Sequence, residues 1–244
     1  MVTIRQYTVA AFREYLEGYR RGGAVLKATF LHHTWSPTPA TWRGLPTMEG
    51  IRRAHLARGF SDIACHAYAA PDGTVFNGRP PSAVNCACQH PDEGADKWPP
   101  ELRRLSAGDP AWMNRFGFGL ETVGNFDAED PATSRAMWTA LDVLAIVHEL
   151  WAIPVEHCFF HRDVSSKTCP GERVKRDWVH AELRRRLAPM PERPDVADWA
   201  KPYVARVKDL GLMTGYPDGT FHGGEPVTRE ELAVIICRLL DMED

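Results

Sequence analysis

PVEHCFFHRDVSSKTCPG, residues 154–171, runs from an apolar stretch into a loop carrying a lysine and a cysteine. PVEHCFFH has the aromatic and β-branched content of a strand ending at His161, and Cys169 follows eight residues later. VLKATFLHH, residues 25–33, has the same character and ends at His32 and His33. Strand ends and the loops after them are where α/β proteins gather reactive side chains. The two runs therefore predict an α/β domain in which His32, His161 and Cys169 can converge. Taken singly, each has a plainer reading: a strand-end histidine held by one hydrogen bond, or a cysteine packed as a small hydrophobe. Together they match the three protein ligands of a catalytic zinc site better than a closed structural one, because the chain has no C-x-x-C.

Outward from these runs, Thr8 predicts a cap for a helix over 9–20 that Gly22 and Gly23 stop. Residues 47–58 read as helix, and HAYAAPDGTVF as two short strands around a Pro-Asp-Gly turn. The Pro-, Gly- and Asp-rich stretch 85–116 reads as irregular, and GFGLETVG as a strand. Asp130-Pro131 predicts the start of a long helix, since Met137, Ala140, Leu141, Leu144, Val147 and Trp151 recur at helical spacing. Residues 172–187 read as a last helix. APMPERP has a linker's proline density, which places a catalytic domain at 1–187, a linker at 188–194 and a small unit at 195–244.

A chain of 244 residues with 44% hydrophobic content can bury one sizeable core and leave residues for an appendage. The net charge of −3 gives no reason to expect nucleic acid or an anionic membrane as partner. Residues 195–244 hold ten Asp and Glu against five Lys and Arg, leaving +2 on the rest. The N-terminal stretch has no apolar core of a secretory signal, and no run of about 18 apolar residues follows. Synthesis in a cytoplasm is therefore expected, with six cysteines that are reduced by default.

FLHHTWSPT (30–38), DGTVFNGRP (72–80), GLETVGNFD (119–127) and HRDVSSKTCPG (161–171) together resemble the zinc-dependent N-acetylmuramoyl-L-alanine amidases, the family of phage amidase-type lysozymes and peptidoglycan recognition proteins. The resemblance implies a central mixed β-sheet flanked by helices. It implies one zinc ion on His32, His161 and Cys169, with His33 as neighbour rather than ligand. By the same resemblance Glu121 is the catalytic acid/base, its plain alternative being a solvent-facing strand residue. Lys167 is the donor to the developing oxyanion, its alternative being a solvated loop lysine. Many relatives carry an active-site tyrosine near Cys65 and a histidine near Cys86; here both are cysteines, which moves the acid/base burden toward Glu121. Cys65, Cys86 and Cys88 read as packing residues, and a redox role for C-x-C at 86–88 lacks a strand-to-helix context.

Residues 195–240, with Trp199-Ala200, GYPDGTF and VTREE, resemble one S-layer homology repeat. Gly211 closes its first helix, and Thr228 with Glu231 makes a capping box for its second. This resemblance implies binding to secondary cell-wall polysaccharide through Trp199, Asp218, Gly219 and Arg229. Such repeats commonly come in threes, so one repeat implies weak targeting or a homotrimer. The expected whole is a peptidoglycan hydrolase acting at the bacterial cell wall, a phage endolysin or prophage-derived autolysin. The alternative is a noncatalytic peptidoglycan-binding protein, and the cysteine ligand favours the enzyme.

Overall fold

Residues 1–85, 94–188, 195–216 and 219–242 are described in a computed structural model of the chain, which divides into two units, Met1–Ala188 and Pro189–Asp244. Cys86, Cys88, Asp218 and positions 189–194 of the expected linker lie outside the described residues.

One sheet organises the first unit. Its strands are β1 (Gln6–Tyr7), β2 (Ala28–His33), β3 (Ala67–Ala69), β4 (Val75–Asn77), β5 (Gly117–Thr122) and β6 (Cys158–Phe160), in the order β1-β4-β3-β5-β2-β6. β2 runs parallel to both β5 and β6, and β3 parallel to β5. β4 is antiparallel to β3 and β1. The flanking helices are α1 (Val9–Arg21), α2 (Leu45–Ala57), α3 (Pro100–Ser106), α4 (Pro110–Phe116), α5 (Arg135–Leu150) and α6 (Arg176–Leu187). The mixed sheet with helices around it is the expected class.

All six residues of β2 are buried, because it lies between two parallel neighbours and is covered on both faces. On one face, α5 packs Met137, Leu141 and Leu144 with Phe12 and Leu16 of α1 and Val179 and Leu183 of α6. His148 of α5 is buried there and pairs through one ring nitrogen with Thr29 Oγ1 and through the other with the Ile153 carbonyl, both at 2.9 Å. On the other face, Phe30 and Phe159 meet Trp98, Leu102, Trp112 and Met113. These last four residues explain a departure from expectation within 85–116. Pro100 and Pro110 stand at first helical positions and Asp109 caps α4, so the prolines start two short helices instead of preventing them.

Three boundaries also shift. Asp130 caps a 3₁₀ turn, Pro131–Thr133, and Ser134 caps α5 through Met137 N–H. β6 ends at Phe160, because His161–Asp163 turns at once into a 3₁₀ helix. α6 begins at Arg176, since the residues before it are held by the neighbouring loop: Asp127 accepts from Glu172 N–H at 2.9 Å.

In the second unit, α7 (Lys201–Asp209) and α8 (Arg229–Leu240) flank a loop. Gly211, at φ +68°, follows α7, and the reciprocal Thr228–Glu231 capping box opens α8. Among its described residues only Leu212 is buried. Among the described residues of the chain, no helix is long and apolar enough to cross a membrane.

Candidate metal centre

The β2–β5 register sets His32 beside Glu121, and the β2–β6 register, which pairs Leu31 with Phe160, brings His161 level with His32. The 3₁₀ turn after β6 then folds the loop back, with Arg162 N–H donating to the Cys169 carbonyl at 2.8 Å. Ligand atoms of His32, His161 and Cys169 consequently lie within 4.8 Å of one another. The two imidazole rings are 4.8 Å apart between centroids, and Cys169 Sγ is 3.6 Å from His32 Nδ1. Tetrahedral zinc with bonds of about 2.0–2.3 Å needs ligand atoms separated by roughly 3.3–3.8 Å, and the 3.6 Å between Cys169 Sγ and His32 Nδ1 falls in that range, so two nitrogens and a thiolate form a donor set that suits the ion. His32 is buried, and its pKa is held well below the usual histidine range by burial and by His161, His33 and Lys167, which keeps it in the neutral form a metal requires.

His33 takes a supporting place. Its backbone N–H donates to Cys169 Sγ at 3.4 Å, a contact that favours the thiolate, and its Nδ1 accepts from Phe126 N–H at 3.2 Å. Behind the cysteine, Gly171 has φ +114°, and a Cβ there would stand 2.5 Å from the backbone carbon of Phe126. Only glycine lets the loop pass this close.

The three residues line a cleft of about 440 Å³ together with Glu121, Lys167, Asp127, Trp35, His55 and Arg58. Glu121 is half-buried on β5, and desolvation of its carboxyl pushes its pKa up to about 7 against the opposing pull of the Cys65 thiol and Lys167. Lys167 is exposed at the cleft. Asp127 accepts from Thr168 Oγ1 at 2.9 Å as well as from Glu172, tying the cysteine loop to the segment after β5. No spacing along the chain marks this role of Asp127. Trp35 stands at the cleft 61% exposed, with φ +56°. No spacing rule marks Trp35, His55 or Arg58, since they come from a loop and a helix end that only the fold brings to the site.

A family model for N-acetylmuramoyl-L-alanine amidase matches residues 22–172, which hold the whole cluster. The chain belongs to this amidase family. A second model, for the S-layer homology domain, matches residues 194–233. Among solved structures, the amidase unit is similar to the endolysin amidase LysCS of Clostridium intestinale URNW, at 25% identity and TM-score 0.46 over 66% of this chain and 86% of that one. It is also similar to the Ph2119 endolysin of a Thermus scotoductus MAT2119 bacteriophage, at 18% identity and TM-score 0.47 over 69% and 96%. Outer membrane protein SlpA of Deinococcus radiodurans is 46% identical over 56 residues, which are 21% of this chain; the chain spans only 5% of that relative's length.

In the S-layer homology unit, a groove of about 500 Å³ is lined by Leu212, Tyr216, Phe221, His222, Glu231 and Arg238 among others. Trp199, Gly219 and Arg229 are not among its lining residues, and all three are exposed.

Proposed function

We propose that the chain hydrolyses the amide bond between the lactyl group of N-acetylmuramic acid and the L-alanine of the peptidoglycan stem peptide. The observation that carries this reading is the convergence of His32, His161 and Cys169 in a cleft that is also lined by the half-buried Glu121. Those three side chains would hold one zinc ion, which when bound supplies Lewis-acid polarisation of a carbonyl and acidifies a water molecule. Glu121, with a pKa of about 7, can take the proton from the attacking water and return it to the departing amine, so that the C–N bond breaks to a carboxylate and a free alanine amine. Lys167 donates to the oxyanion that develops on the lactyl carbonyl. Trp35, His55 and Arg58 line the cleft beside the cluster, where the stem peptide and its sugar would lie.

The C-terminal repeat serves as the wall-binding module for secondary cell-wall polysaccharide, with Trp199, Asp218, Gly219 and Arg229 as contact residues. It also associates as a homotrimer. Supporting this are Leu210, Leu232 and Leu239, which stay 43–51% exposed in a unit that buries only Leu212 among its described residues. Mass spectrometry of digested cell walls tests the catalytic reading: new N-terminal alanine should appear without new reducing sugar ends. New reducing ends, or no cleavage by the zinc-loaded chain, would contradict it.

A further inference from the structure

Cys65 reads from sequence as a packing residue, and it is indeed fully buried, one position beyond the cleft wall at Ala64. Its surroundings are those of something more specific. The Cys65 thiol donates to Glu121 Oε2 across 3.4 Å. The backbone that carries the thiol is pinned on every side. Cys65 N–H donates to the Tyr68 hydroxyl at 3.1 Å, and Arg79 N–H donates to the Cys65 carbonyl at 2.9 Å. At the next residue, His66 N–H donates to the Gly119 carbonyl at 2.9 Å, and Gly119 N–H donates back to His66 Nδ1 at 3.1 Å. Gly119 is two residues before Glu121 on β5, so thiol and carboxylate share one short, doubly bonded connection. Gly78 closes the arrangement, because a Cβ there would meet the Cys65 carbonyl oxygen at 2.0 Å. Tyr68, fully buried, is the register partner of Glu121 across β3 and β5.

We propose that Cys65 is a positioning residue for the hydrolysis: its thiol occupies Oε2 of Glu121 and leaves the other carboxylate oxygen to exchange the proton with water and amine. The inference rests on the reading of Glu121 as the acid/base. A thiol suits the task because it is a weak donor. It orients the carboxylate without a full charge, whereas an ammonium or guanidinium there would lower the carboxylate's proton affinity and weaken it as a base.

The test uses the full zinc-loaded chain and a soluble muramyl peptide, with kcat, KM, zinc content and thermal midpoint measured together. Cys65→Ala should lower kcat about tenfold with KM and zinc per chain unchanged, and Cys65→Ser, which keeps a donor, should recover most of the loss. In a Glu121→Gln background, Cys65→Ala should cost nothing further, because its effect passes through the carboxylate. Wild-type kcat in Cys65→Ala, equal losses in the Ala and Ser variants, or a loss that multiplies with that of Glu121→Gln would overturn the proposal. A wild-type chain that releases no N-terminal alanine would instead defeat the amidase reading itself, a result distinguishable from any of these.

Discussion

At the scale of single residues, the cluster makes separable demands on metal and on chemistry. Cys169 would supply the one anionic donor to the proposed zinc, so Cys169→Ser should lose most of the zinc, measured by elemental analysis against about one ion per chain in the wild type, and nearly all activity. Full activity in a metal-free Cys169→Ser chain would show that the cluster is not the catalytic centre. Glu121 and Lys167 are not among the clustered donors. Glu121→Gln and Lys167→Ala should therefore keep both zinc and fold while losing about 10² or more in rate. Undiminished turnover in Glu121→Gln would pass the base role to another group lining the cleft, with Asp127 the nearest candidate by chemistry.

At the scale of elements, the loop after β6 is the delicate part, since it must pass Phe126 at backbone contact to bring its sulfur beside His32. Gly171→Ala puts a Cβ against the Phe126 backbone at a φ that side chains rarely adopt, and should cost about 1–3 kcal/mol in urea unfolding together with a fall in bound zinc. Unchanged stability would mean that the loop has room to move aside. How much of these elements could be read beforehand follows from what each owes to local pattern. β2 and α5 announce themselves because their apolar residues recur at strand or helix spacing, and the histidines at the end of β2 are visible for the same reason. α3 and α4 do not, as seven residues give too little periodicity to outweigh the prolines and glycines around them, and burial of Trp98, Leu102, Trp112 and Met113 against the sheet decides their state. The contact of Cys65 with Glu121 was equally hidden, for it depends on the β3–β5 register and not on any spacing along the chain.

At the scale of the whole molecule, buried histidines set the acid limit. His66 and His148 are kept neutral mainly by desolvation, each with its pKa brought down to about 4 from an ordinary 6.5. Between those values the unfolded chain binds protons that the folded chain refuses, so stability is fully present above about pH 6.5 and is lost as pH falls toward 4. The slope should approach about 1.4 kcal/mol per pH unit for each histidine. Urea unfolding at a series of pH values checks this, and His148→Gln should flatten the curve; a pH-independent midpoint would refute it. Light scattering addresses assembly: a trimer that becomes a monomer when residues 190–244 are removed is the expected outcome, and a full-length monomer at high micromolar concentration would leave wall attachment to a single repeat.

The strand that carries the first histidine is laid down long before either of its neighbours in the sheet. β2 ends at residue 33, whereas β5 begins at 117 and β6 at 158, and the last donor of the cluster is residue 169. During synthesis β2 must therefore wait for both of its sheet neighbours until most of the amidase unit has left the ribosome. A nascent or proteolytically shortened chain that stops before Cys169 has at most two of the three donors. On the proposed reading, hydrolysis of the wall would thereby be withheld from every such fragment until translation has nearly finished the amidase unit.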